Sequence, residues 1–139
     1  MSPPAIRAAH EGELAAVLEL WALAGSVATP TDSEQALRGL LDGEPGALLV
    51  AASEGVLVGS LIAAWNGWRG SFYRLAVHPD ERRRGIATAL IAEGERRLRA
   101  RGAVRIDVIV VAGERPAMQF WGAAGYLHRP EQTRFIRDA

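Results

Sequence analysis

Residues 77–88 read Val77-His78-Pro79-Asp80-Glu81-Arg82-Arg83-Arg84-Gly85-Ile86-Ala87-Thr88. Before them runs an apolar stretch, Phe72 to Val77, with the character of a strand. After them, Ile86, Leu90, Ile91, Gly94 and Leu98 repeat at helical spacing up to Ala100. A strand, a short loop and a helix opened by Gly85 and the small Ala87 make a backbone cradle for an anion. The first amides of a helix have no acceptor within it, and the helix dipole adds partial positive charge there. A pyrophosphate can rest on the amides of about residues 83–88, since nothing bulky stands at Gly85 or Ala87. Arg82, Arg83 and Arg84 extend cationic arms around the same place.

The chain has 139 residues, the length of one domain with one core. A hydrophobic fraction of 49% is ample for that core. Sixteen arginines balance sixteen acidic residues, so bulk attraction to nucleic acid or to an anionic membrane is not expected. The absence of cysteine excludes disulfides, thiolate metal sites and a cysteine nucleophile. Three scattered histidines offer no metal-ligand spacing, so no metal is expected. No apolar run approaches the roughly 20 residues of a membrane span. Met1 to Arg7 lacks the features of a signal peptide, and the expected location is cytoplasmic. Every basic residue is an arginine, so the chain has no lysine side chain of its own to modify.

Outward from the loop, the pattern predicts a strand at Ala5–Ala8 and a helix at Glu13–Ala24, with Leu14, Val17, Leu18 and Trp21 on its apolar stripe. Thr31 and Glu34 read as a capping box opening a second helix to about Leu41. Strands follow at Ala47–Ala52 and Val56–Trp65, joined by a tight turn at Glu54-Gly55. Asn66-Gly67 carries the type I′ hairpin signature, with Trp68 to Gly70 able to lengthen the loop. Val104–Val111 is β-branched and strand-like. Pro116 suits the first turn of a helix running to about Ala123, and Thr133–Arg137 reads as a last strand. The order β-α-α-β-β-β-α-β-α-β implies a single α/β domain over 1–139, a mixed, mostly antiparallel sheet with helices on both faces.

These residues resemble the GNAT superfamily of N-acetyltransferases, in particular its small stand-alone bacterial members. Arg82-Arg83-Arg84-Gly85-Ile86-Ala87 fits the family's phosphate-loop pattern of Gln or Arg, two free positions, Gly, one free position, then Gly or Ala. Leu75-Ala76-Val77 with Pro79 fits the strand before that loop. Ala117, Phe120 and Gly125-Tyr126 fit the C-terminal pattern. The resemblance implies a GNAT-like fold and acetyl-CoA as cosubstrate, lying between two central strands, here Phe72–Val77 and Val104–Val111. Its pantetheine arm would pair with the main chain of Leu75, Ala76 and Val77 like an added strand. Its pyrophosphate would lie on the amides of Arg82, Arg83, Arg84, Gly85, Ile86, Ala87 and Thr88. The acceptor would be an amine of a small molecule or peptide, acetylated directly in a ternary complex. The resemblance also implies a homodimer formed through sheet edges or helices.

The catalytic pair is less well marked. Trp121 stands where relatives often have a tyrosine that protonates the leaving thiolate, and an indole N–H is no practical acid. No glutamate lies in Phe72–Val77, a common place for the base. Tyr73 and Glu114 are the candidates left for proton transfer, although Glu114 stands where relatives often carry an asparagine. The alternative is a non-catalytic acyl-CoA-binding sensor or partner module. His78 reads as a packing or capping residue. Arg96, Arg97, Arg99 and Arg101 read as a solvated helix face balanced by Glu93 and Glu95. Trp65 and Trp68 either pack across the hairpin or wall the acceptor site. Gly25–Pro30 and the Trp65–Gly70 hairpin are the segments expected to shape that site.

Overall fold

The computed structural model describes residues 3–139; Met1 and Ser2 lie outside the described residues. The chain forms two compact units, residues 1–108 and 109–139. The first holds β1 (Ala5–Ala8), α1 (Leu14–Leu23), α2 (Glu34–Gly43), β2 (Leu48–Ser53), β3 (Val56–Trp65), β4 (Gly70–Val77), α3 (Ile86–Ala100) and β5 (Ile106–Val108). Its sheet runs β1-β2-β3-β4-β5, antiparallel throughout except for the parallel β4–β5 pair.

Side chains alternate across the sheet and sort the helices onto two faces. Leu48, Val50, Ile62 and Ala76 pack with Leu14, Val17, Trp21 and Leu37, so α1 and α2 cover one face. On the other face α3 lies very close. A Cβ added at Gly59 would stand 2.8 Å from Ile86 Cγ2, and one at Gly94 2.7 Å from Phe72 Cε1. The buried stripe of α3 is the expected one, Ile86, Leu90, Ile91, Gly94 and Leu98. Glu93 meets Arg97 at 2.8 Å and Glu95 meets Arg99 at 4.0 Å, as their spacing predicts. The expected mixed, mostly antiparallel sheet with helices on both faces is present.

Local readings are corrected at several points. The cap of α2 is Ser33, whose hydroxyl accepts the Ala36 N–H at 3.0 Å; Thr31 instead meets Thr29 in the loop before it. The type I′ geometry falls at Glu54-Gly55, where both residues have positive φ (51° and 79°). At the next hairpin Asn66 accepts the N–H groups of Trp68 and Arg69 on its side-chain oxygen, and the loop extends to Arg69. That asparagine-centred turn replaces the two-residue connection.

The Val104–Val111 strand shrinks to Ile106–Val108, and it lies at the sheet's edge rather than its centre. β4 meets it only at Gly70–Phe72, so residues after Val108 have no ladder to join. The C-terminal unit contains α4 (Arg115–Ala123). Thr133–Arg137 is not a strand, and Phe135 is 92% exposed. A short β-prone segment with no partner strand leaves its backbone to solvent, and β propensity does not order it.

One ion pair near the first strand carries a pH dependence. The Arg7 guanidinium grips Glu13 through two bonds of 2.8 Å and holds its carboxyl at about 2, well below the usual range. A carboxyl whose folded value is depressed stabilises the fold above its unfolded value and loses that contribution as pH falls through the folded one. The stability gap between the native chain and Glu13→Gln should therefore be full above about pH 5 and close towards pH 2. Urea melts at stepped pH check this, and a gap that widens on acidification contradicts it.

Candidate functional site

The β4–β5 ladder pairs Gly70, Ser71 and Phe72 with Ile106, Asp107 and Val108, and it ends there. Ser71 Oγ donates to Asp107 Oδ1 at 2.8 Å at the middle rung. Just beyond, β4 carries a bulge: Ile62 faces Tyr73 while Ser60 faces Ala76, so β4 has one residue more than β3. Arg74 takes the extra place with φ +55°. From there to Val77 the strand pairs with β3 on one side and, among the described residues, with no strand on the other.

The remaining rungs fix which amides face the open side. His78 N–H bonds to Val58 O at 2.8 Å, and Val77 sits opposite Gly59. In an antiparallel ladder neighbouring residues turn their N–H and C=O alternately towards and away from the partner. Val77, and Leu75 two places earlier, therefore present their backbone groups to the open side. This edge is a template for an extended ligand with its own amides.

The edge leads into the loop quoted at the outset. Pro79–Glu81 forms a 3-10 turn capped by His78, whose Nδ1 accepts the Asp80 N–H at 3.1 Å. The capping role expected of His78 is the one it has. Arg83 (φ +66°) and Gly85 (φ +76°) then turn the chain into α3. No side chain caps this helix, and its first backbone bond is Ala89 N–H to Gly85 O at 3.0 Å. The amides of Ile86, Ala87 and Thr88 thus point out of the helix mouth. A Cβ built on Gly85 meets nothing within 4 Å, so the space before them is clear. Arg84 pairs with Glu81 at 2.9 Å, and Arg82 reaches Ala24 O at 3.4 Å. The ten residues read as cofactor-binding, Leu75–Val77 and Arg82–Thr88, thus form one continuous edge and mouth within the first unit.

The two proton-transfer candidates do not share a unit. Tyr73 is 46% exposed and, opposite Ile62, shares the α1/α2 face. Glu114 precedes α4 in the C-terminal unit, where its N–H bonds to Val111 O and its side chain makes no capping bond. In that unit Trp121 stacks edge-on with Phe120 at 5.5 Å and with Tyr126 at 5.0 Å. Trp121 and Tyr126 accordingly serve packing there. In the hairpin, the Arg69 guanidinium lies 4.1 Å above the Trp68 ring, which stays exposed, so Trp68 does not pack across the strands.

Sequence reading missed one feature of the site, the partner of Arg74. Arg74 Nε and Nη2 grip both oxygens of Asp32, and Nη2 also donates to Val27 O at 3.0 Å. The Trp21 ring lies 5.5 Å from the guanidinium, and its indole N–H bonds to the buried Ser60 Oγ at 2.7 Å. No motif marks this set. An arginine in a strand and an aspartate just ahead of a helix carry no signal in the sequence that they meet.

Comparison with known proteins settles the family. The profile of the acetyltransferase (GNAT) family matches residues 8–126. The chain belongs to this family. An acetyltransferase of Pectobacterium atrosepticum is 40% identical over 105 residues, covering 76% of this chain and 74% of that protein. Among solved structures, Ard1 from Thermoplasma volcanium superposes with a TM-score of 0.81 at 16% identity, over 91% of this chain and 84% of its own. The PaiA N-acetyltransferase from Thermoplasma acidophilum, solved in complex with coenzyme A, gives 0.75 at 15% identity, over 88% of each chain. At such identities the two structures establish the GNAT fold, and family membership makes the chain an acyltransferase. Among the described residues no helix is long and apolar enough to cross a membrane.

Proposed function

We propose that this GNAT member is one N-acetyltransferase domain over 1–139, acting in the cytoplasm. It moves an acetyl group from acetyl-CoA to an amine of a small molecule or peptide, directly within a ternary complex. One observation carries the reading: the open side of Leu75–Val77 runs straight into the uncapped mouth of α3. Pantetheine, with two amides, matches the edge, and a diphosphate matches the mouth. The coenzyme A bound to the PaiA relative supports the same choice of ligand.

In this reading Leu75 and Val77 pair with the pantetheine arm while Ala76 between them stays bonded towards β3, and Arg82 to Thr88 hold the diphosphate. The amine nitrogen attacks the thioester carbonyl, a tetrahedral oxyanion forms, and the C–S bond breaks to release the thiolate. An amide such as that of Val77 stabilises the oxyanion; losing one such donor typically costs about 3 kcal/mol. An alkylamine with a pKa of about 10.4 arrives protonated at neutral pH, so a base or a water chain must take its proton first. Tyr73 and Glu114 are the groups proposed for the proton transfers. Holding two reactants together supplies much of the remaining rate.

Thiol release from acetyl-CoA, followed across a broad panel of amines, tests the assignment. Amine-dependent release is expected. Coenzyme A binding with no release across the panel would leave the acyl-CoA-binding module in its place. Trp121→Tyr supplies a hydroxyl where the indole has none, and should raise kcat with acetyl-CoA affinity unchanged. An unchanged kcat would mean that water or another residue already protonates the thiolate.

A further inference from the structure

The ion pair between Arg74 and Asp32 spans 42 residues and ties two parts of the first unit together. One is the bulge of β4, next to the open edge. The other is the connection from Ala24 to Ser33 between α1 and α2. Within that connection Asp32 accepts the Thr29 N–H at 2.7 Å, and Arg74 takes the Val27 carbonyl as well. Arg82, from the mouth of α3, reaches Ala24 O at its start. The connection is thus held at both ends by arginines of the open edge and the mouth.

The location gives these bonds a consequence. α3 covers the sheet over Gly59, Leu61 and Phe72, and its mouth takes the phosphates in the function proposed above, on which this inference rests. An amine approaching the edge at the bulge must therefore come over the opposite face. There it meets Tyr73 and the segment that Arg74 holds. Three of the five Arg74 N–H donors go to Asp32 and the Val27 carbonyl, which commits this side of the fork to the segment. The ion pair is mostly shielded, with side-chain exposures of 21% and 9%, and Arg74, at φ +55°, reaches the connection ahead of α2.

We propose that Arg74 is a positioning residue that locks residues 25–33 beside the β4 bulge and thereby sets which amines reach the acetyl group. Arg74→Gln and Asp32→Asn each remove the lock. Against the best amine of the panel, kcat/KM should fall roughly ten- to a hundredfold, mostly through acceptor KM. The ratio between the best and poorer amines should fall with it. The Kd for acetyl-CoA should stay within about twofold, and the double variant should be no worse than the singles. Arg74→Lys keeps the charge but loses the fork, and should rescue only part of the selectivity. Amide exchange at residues 27–32 should quicken in the Gln variant and leave α3 unchanged. Acceptor KM and acetyl-CoA Kd moving by one common factor, or unaltered exchange at 27–32, would overturn the proposal. If the native chain acetylates no amine, the assigned function fails instead, and the exchange measurement still decides whether Arg74 holds the segment.

Discussion

Gly85→Glu should weaken coenzyme A binding by about a hundredfold or more while leaving the chain folded. Charged hydrogen bonds to a phosphate contribute about 1.5–3 kcal/mol each, and a carboxylate at this point would occupy the ligand's place and repel it. The new side chain starts into open space, because a Cβ at Gly85 meets no atom within 4 Å. The folded state suffers mainly from placing a side chain at φ +76°, a cost of about 1 kcal/mol. Gly85→Ala shares that strain without the bulk or the charge, and separates the two effects. It should lose a similar amount of stability and far less affinity. Calorimetry with coenzyme A, alongside thermal melts, reads both. Undiminished affinity in a folded Gly85→Glu protein would remove the cradle and the pyrophosphate assignment together.

Gly59→Val should have the largest effect that begins in the core and ends at the cofactor. The new Cβ would stand 2.8 Å from Ile86 Cγ2 and 3.0 Å from Leu90 Cδ1, contacts that force something to move. Ile86 is the first residue of α3, so the displaced atoms belong to the helix mouth itself. Overpacking of this kind costs about 1–3 kcal/mol of stability. Affinity for coenzyme A should drop in the same variant, since tilting the mouth misaligns its amides. Val56→Thr is the control, on the same strand but solvent-exposed, and should change neither quantity by much. Loss of stability with affinity intact would mean that the mouth is not held by its seat on β3.

The cradle was legible because every part of it is local. Strand, loop, positive-φ glycine and helix follow one another within about thirty residues, and the buried stripe of α3 is written in its 3.6-residue period. The strand lengths were not legible. Val104–Val111 has the propensity for eight residues of strand, but a bulge in another strand decides that three of them pair. Thr133–Arg137 shows the same limit, since nothing local tells a β-prone segment whether a partner will be there. The Arg74–Asp32 pair was invisible for a different reason. Two charged residues 42 positions apart meet because a helix packs across a sheet, and an arginine in a strand otherwise reads as a solvent-facing residue.

The ladder that stops at Phe72 and Val108 leaves the outward-turned main chain of Leu75 and Val77 unpaired, among the described residues, on the side away from β3. Deuterium should therefore enter at these two amides quickly in the ligand-free protein, while Ala76, turned towards β3, stays slow. Saturating coenzyme A should abolish that alternation by slowing Leu75 and Val77 to the level of Ala76, and leave β2 untouched. An unpaired edge of this kind is also where a sheet recruits foreign strands. A supply of cofactor would then act on the lifetime of the protein in solution as well as on its chemistry.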